Sequence, residues 1–349
     1  MTRLSRIQQS LDVSQAFYVS DALNIRYLCG FTGSFGALFV TTHNATLLTD
    51  SRYLIQAGSE TTGVSISATG NLYPDQELTR NINEVLFEKS HLTIERHERL
   101  LATVPHATTT GTSARIEQLR IVKDEAEIAL IRQACAISTR ALREVSSHIH
   151  EGMSERQVAR LLDSTILDFG AHAIAFETIV ASGPHSAIPH HQPTDRFLTD
   201  GDFLKIDFGA AVNGYHSDCT RTFVIGHPSD WQRQVYNQVL AAQTAGRNAI
   251  GIGRTFAEVN TAARSAITNP EYAATFQHGL GHGVGLAIHE DPFFSASQQA
   301  KIEPGMVFTV EPGIYLADRG GVRVEDTLLI TPQGYENLTE FSYDLISLG

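Results

Sequence analysis

One stretch constrains this chain more than any other: FLKIDFGAAVNGYHSDCTRTFVI, residues 203–225. Two β-branched and apolar runs flank Asn213-Gly214. A two-residue type I′ turn needs positive φ at both central positions, and this pair supplies it. Folding there pairs Val212 with Tyr215 and, by the same count, Gly209 with Asp218. Asp207 lies two residues from Gly209, so it projects from the same face. The two aspartates are then diagonal neighbours, close enough to share a ligand. Carboxylates that converge on one sheet face repel each other and are costly unless a cation lies between them. Read alone, the segment leaves two choices, a metal site or two solvated acids on an edge hairpin.

A second hairpin favours the metal. In VFTVEPGIYLADRGGVRVEDTLLI, Asp318 to Gly321 mark the turn, with Glu311 on one strand and Glu325 on the other. Apolar residues surround both glutamates, and ionised acids are rarely buried unpaired. Two hairpins that each deliver two carboxylates make an oxygen-rich site for divalent cations. Between them lies QHGLGHGVGLAIHEDP, with His278, His282 and His289 among four glycines. A dinucleotide loop does not fit, because no apolar strand leads in and three histidines would crowd a pyrophosphate. The zincin pattern HExxH also fails, since Phe293 stands at its second histidine.

At roughly 100–200 residues per domain, 349 residues suggest two domains. The first third alternates short strands (FYVS, ALFVTT, TLLTD) with turns, a helix over Glu77–Glu88 and a strand at HLTIE, which reads as a small α/β layer. Gly30, Gly33 and Gly36 mark a loop whose spacing does not match a phosphate cradle. A long amphipathic helix begins at KDEAEIALIRQAC, with Cys135 on its apolar stripe, and a second opens at the box Ser154-x-x-Gln157. The domain boundary is expected near residue 122, giving domains 1–122 and 123–349. From Ala173 strands dominate (IAFETIVASG is one), interrupted by helices near Trp231–Ile250 and Phe256–Thr268. The fold class is α+β. A formal charge of −12 argues against non-specific nucleic-acid binding. No apolar run reaches the ~20 residues of a membrane span, and the basic start MTRLSRIQQS lacks the apolar stretch of a secretory signal. Three scattered cysteines form no disulfide framework. The expectation is a cytoplasmic protein without membrane or nucleic-acid partners.

These residues resemble the pita-bread metallopeptidases, which include methionine aminopeptidase, prolidase and aminopeptidase P. The resemblance spans essentially the whole chain. It implies an N-terminal creatinase-like α/β domain followed by a C-terminal pita-bread catalytic domain. It also implies two divalent metal ions, with Mn expected and Co or Zn as alternatives. IDFGA supplies Asp207, HSDCTRT Asp218, GLGHGVGLAIHE His282, EPGIY Glu311 and RVED Glu325. By the family pattern Asp218 and Glu325 bridge the metals, Asp207 completes one, and His282 and Glu311 complete the other. Glu311 would also shuttle a proton, and His289 would hydrogen-bond the oxyanion. His190, in AIPHHQP, matches a histidine at the mouth of the site. His278, Arg323 and Tyr315 match residues that orient the substrate. His185 and His191 have no match and read as surface or loop residues, and Cys219 reads as packing.

The N-terminal domain, EPGIY and GVRVED resemble the proline-specific branch. Creatinase lacks the metal ligands, and a non-catalytic binding protein would not need them. The implied function is an Xaa-Pro aminopeptidase, with an Xaa-Pro dipeptidase (prolidase) as alternative and a methionine-type enzyme behind it. Proline-containing peptides are the implied partners and a homodimer the implied assembly.

Overall fold

A computed structural model describes all 349 residues. They divide into two compact units, Met1–Arg120 and Ile121–Gly349. No helix is long and apolar enough to cross a membrane.

The first unit is built on a six-stranded mixed sheet. Its central strand, Gln15–Val19, is buried from Ala16 onward. It runs antiparallel to Ala37–Thr41 on one side and parallel to Glu84–Glu88 on the other. Two sequence expectations need correction here. The helix expected over Glu77–Glu88 is a single turn, Gln76–Thr79, followed by the strand Glu84–Glu88. Val85 and Leu86 are buried between two parallel neighbours, and that packing overrides the helix propensity of the Glu- and Leu-rich stretch. The strand expected at HLTIE is instead the start of a helix, Ile94–Thr103. Thr93 caps it by accepting a hydrogen bond from the Arg96 amide.

In the second unit helices come in pairs, each pair laid against a sheet. Glu125–Ser146 and Glu155–Asp168 share one core with the strands Phe203–Phe208 and Cys219–Ile225, through Leu142, Val158, Leu162, Leu204 and Phe223. Asp230–Ala249 and Phe256–Ser265 share another with Val307–Val310 and Asp326–Thr331, through Val239, Val259, Phe308 and Leu328. Truncating any of these fully buried aliphatics should cost about 2–5 kcal/mol. Three of the four helices open with a reciprocal capping box: Asp124 with Glu127, Ser154 with Gln157, and Thr255 with Glu258. Cys135 and Cys219 are free thiols buried in this unit.

Both hairpins form. Asn213 and Gly214 have φ of 44° and 73°. Val212 faces Tyr215, and the same count carries down to Asp207 opposite Thr220. The second turn contains Asp318 at φ 60°. Its ladder runs from Leu316 opposite Gly320 to Gly313 opposite Arg323. It then resumes in a different sheet with Val310 opposite Asp326. Glu311 and Glu325 fall in the gap between these two ladders. IAFETIVASG is two strands rather than one. Ala173–Ile174 pairs with Ala210–Val212 and Ile179–Ser182 with Phe203–Phe208, so the chain breaks where it changes partner.

Candidate metal centre

A cavity of about 530 Å³ opens in the second unit, and Asp207, Asp218, His282, Glu311 and Glu325 all line it. One hairpin brings the two aspartates and the other the two glutamates. The short strand His282–Gly283 presents the histidine. Nε2 of His282 lies 3.5 Å from Asp218 Oδ2 and 3.3 Å from Glu311 Oε1.

Proton positions decide what these contacts are. Nδ1 of His282 faces the Gly283 carbonyl at 3.1 Å, which accepts only an N–H. Burial holds the His282 pKa below its ordinary value, so the ring is neutral and Nε2 carries a lone pair. That lone pair points at two carboxylate oxygens. Asp218 and Glu325 are pushed far above the usual carboxylate range, first by burial and then by the surrounding acids. Glu311 rises to about 7, again mainly through burial. Asp207 Oδ1 is buried with no hydrogen-bond partner. Ligand atoms of Asp218, His282 and Glu325 lie within 4.8 Å of one another. Converging lone pairs, an orphaned buried oxygen and neighbouring acids that resist ionisation form a donor set short of positive charge. A divalent cation supplies it.

The remaining residues named from the sequence line the same cavity or back it. His278 donates from Nδ1 to the Gly279 carbonyl (2.7 Å), which leaves Nε2 to accept from the Tyr315 hydroxyl (2.9 Å). Burial lowers the His278 pKa to about 4. The Tyr315 oxygen in turn accepts from Arg323 Nη1 at 3.0 Å. Arg323 also donates to Thr220 Oγ1, to the Pro189 carbonyl and to Asp207 Oδ2. His278, Tyr315, Arg323 and Asp207 thus form one hydrogen-bonded line. The His289 ring stands 4.3 Å from that of His282, and burial lowers its pKa to about 4 as well. His190 lines the cavity as well, near enough to His278 and His289 to help burial lower the pKa of both.

Sequence reasoning missed several residues. His191, expected on the surface or in a loop, is buried, and His185 is half-buried against it with ring centroids 4.4 Å apart. Both donate to Glu155, which only the fold brings near them. Lys205 is buried two residues before Asp207 and binds carbonyls of the His190 segment. Its position inside an apolar strand was the available signal. Phe176, Glu177 and Phe293 also line the cavity.

The description "metallopeptidase family M24" matches residues 129–332, and "creatinase/prolidase N-terminal domain" matches residues 3–122. The chain belongs to metallopeptidase family M24. It is 36% identical to an uncharacterized peptidase of Bacillus subtilis, YqhT, over 95% of each chain. It resembles the solved Xaa-Pro dipeptidase of Bacillus anthracis at TM-score 0.93 and 35% identity, covering 99% of this chain and 98% of that one. The X-Pro aminopeptidase of Thermotoga maritima is nearly as similar, at TM-score 0.90 and 34% identity over 98% and 100%. The fold is therefore a creatinase-type N-terminal domain followed by a pita-bread domain, and the protein is a metallopeptidase. Similar structures include both dipeptidases and aminopeptidases, so substrate length has to be argued from the cleft.

Proposed function

We propose that the protein is an Xaa-Pro aminopeptidase, which releases the N-terminal residue from peptides whose second residue is proline. The observation that carries this choice over a dipeptidase is the charge of the cleft wall. A dipeptide presents a free carboxylate directly after the proline, and an enzyme confined to dipeptides must meet it with a fixed cation. Among the lining residues Arg323 is the only arginine or lysine. It is buried, and its donors are taken by Thr220, Pro189, Tyr315 and Asp207. Glu177 lies exposed on the same wall, where it would repel a carboxylate.

In this reading Asp207, Asp218, His282, Glu311 and Glu325 hold two divalent ions. Mn is expected, though a mixed carboxylate and imidazole set accepts Co or Zn. Such ions supply Lewis-acid polarisation of the scissile carbonyl and bring the pKa of water toward neutrality. Glu311 would take the proton given up by the attacking water and pass it to the leaving proline nitrogen. Neutral His289 donates an N–H to the developing oxyanion. His278, Tyr315 and Arg323 orient the substrate as a unit, because one hydrogen-bonded line joins them. His190 lines the same cavity and faces the substrate. Family resemblance adds a cytoplasmic homodimer.

The test is hydrolysis of Xaa-Pro against Xaa-Pro-Xaa peptides by metal-stripped protein with Mn restored, beside a Glu325→Ala control. Cleavage of the tripeptide, lost in the control, is expected. Cleavage of the dipeptide alone would make the protein a prolidase. If neither is cut with any divalent ion, proline specificity fails and methionyl peptides come next.

A further inference from the structure

His190 is carried by a segment with almost no regular structure. After the strand Ile179–Ser182 comes a short 3₁₀ turn, Gly183–Ala187, and then irregular chain through Thr199. From Thr194 onward the backbone bonds to residues 152–156, but no ladder fixes the stretch between Ala187 and Thr194, so its polar groups must be accounted for elsewhere. Two buried side chains, a carboxylate and an amine, do much of this work.

The first is Glu155, at the start of the helix Glu155–Asp168 and 0% exposed. Its Oε1 accepts from the Ser182 amide (2.7 Å), the Ser182 hydroxyl (2.8 Å) and His185 Nδ1 (3.0 Å). Its Oε2 accepts from His191 Nε2 (2.9 Å), the Thr194 amide (3.0 Å) and the Thr194 hydroxyl (2.7 Å). One oxygen holds the chain before His190 and the other holds the chain after it. The second is Lys205, also 0% exposed, whose Nζ donates to the carbonyls of Ser186 (3.0 Å), Ile188 (2.7 Å) and Pro189 (3.4 Å); burial, then Arg323, holds its pKa well below the ordinary lysine value. Neither residue lines the cavity.

Glu155, His185 and His191 have the residue types of a cation site, and their ligand atoms lie within 4.8 Å of one another. The bonding argues otherwise. Six donors already saturate the carboxylate, so each imidazole presents an N–H to it and no lone pair faces inward. Asp218, His282 and Glu325 show the reverse.

We propose that Glu155 and Lys205 are positioning residues for His190: a buried carboxylate clamps the two flanks of its segment, and a buried amine gathers the carbonyls just before it. This rests on the reading of His190 as a substrate-facing group. For Glu155 the effect on hydrolysis should therefore pass through His190 alone, since orientation of a single group is where a displacement of about 1 Å costs rate. Lys205 also lies 5.1 Å from the Tyr315 ring and shares the Pro189 carbonyl with Arg323, so part of its effect passes through them.

A double-mutant cycle on the metal-loaded full-length protein tests this. Glu155→Gln and Lys205→Met are each made in the native, His190→Ala and His289→Ala backgrounds, and kcat/KM is measured on the Xaa-Pro-Xaa peptide. Each should lower kcat/KM roughly tenfold in the native and His289→Ala backgrounds; in the His190→Ala background Glu155→Gln should cost less than about twofold and Lys205→Met clearly less than its tenfold native loss. An equal loss in all three, or none in the native background, overturns the proposal. Amide hydrogen exchange over residues 183–192 reads the same clamp without activity, and it should quicken in both variants. Unchanged exchange overturns the proposal even if no proline peptide is cleaved, an outcome that would separately refute the proposed function. If Glu155→Gln does not fold, Thr194→Ala removes one donor to Oε2 and takes its place in both arms. A third ion per chain, lost in His191→Ala, would make the cluster a cation site and also overturn the proposal.

Discussion

Glu155 and Glu325 are both buried glutamates of the same unit, 0% and 1% exposed, yet their surroundings do opposite things to them. Burial pushes the Glu155 pKa up, but hydrogen bonds from Thr194, His191 and Ser182 outweigh it and bring the pKa down to about 2. Glu325 receives one side-chain hydrogen bond, 2.6 Å from the Thr220 hydroxyl. Burial, then Glu311 and Asp207, drive its pKa far upward. Desolvation acts on both. The number of donors decides whether the charge is tolerated in the protein alone or needs a cation from outside. A saturated carboxylate belongs to the architecture, and an under-coordinated one marks the metal centre.

The largest effect that sharpens this contrast is on activity. Glu325→Ala should lower kcat/KM at least about 10³-fold, because transition-state stabilisation by the ions is worth several kcal/mol at 1.36 kcal/mol per decade. The variant should still fold, since it removes an acid that the metal-free fold disfavours when charged. Urea unfolding of stripped protein should show it no less stable than the parent. A marked loss of stability would mean that Glu325 is architectural after all.

Glu155→Ala should do the converse. It leaves the Ser182 and Thr194 amides and the His191 N–H without their acceptor, and should cost about 3–5 kcal/mol of stability. Metal content of the folded fraction should be unchanged. A loss below about 1 kcal/mol by urea unfolding would show that water replaces the carboxylate easily and that the hub holds little.

The two sites should also answer pH in opposite directions. The folded, metal-free chain raises the Glu311 pKa to about 7, so between about 4.5 and 7 the folded state binds more protons than the unfolded one. Stability of stripped protein should therefore rise as pH falls through that window. Glu155, depressed to about 2, loses its contribution only below about 4.5. His278 and His289, each lowered to about 4, oppose this rise below about 6.5, so it is read against stripped Glu311→Gln: the parent's melting temperature relative to that variant should climb from pH 7.5 to about 5. Metal-loaded protein should not show the climb. A flat difference in stripped protein would place Glu311 in water rather than among acids.

The metal centre was more legible in the sequence than the hub, for a physical reason. Asp207 and Asp218 sit at a count from Asn213-Gly214 that a type I′ turn fixes, and Glu311 and Glu325 flank another tight turn. Local geometry alone thus delivers four acids in pairs. Glu155 meets Ser182, His185, His191 and Thr194 across 27 to 39 residues of chain. No turn or period encodes that meeting, so His185 and His191 read as loop residues. The helix expected at Glu77–Glu88 failed likewise, because parallel strand pairing is set by distant chain. Of the three capping boxes described above, only Ser154-x-x-Gln157 is read from the sequence.

The smallest expected effect concerns a third acid, Glu177, which is neither saturated nor buried. Its carboxylate accepts from Gln192 Nε2 at 3.1 Å and faces solvent on the cleft wall. If it disfavours a substrate carboxylate just beyond proline, Glu177→Gln should raise kcat/KM for an Xaa-Pro dipeptide roughly two- to fivefold. The Xaa-Pro-Xaa tripeptide should stay within twofold, because its charge lies a residue further off. An exposed pair near 4 Å interacts by only about 1 kcal/mol in water, which sets this scale. At 1 M salt, where the screening length is about 3 Å, the difference between substrates should vanish. An equal change for both peptides would mean that Glu177 shapes the cleft without reading charge. A fall for the dipeptide would mean that the carboxylate lies elsewhere, and substrate length would then have to be set by residues outside this wall.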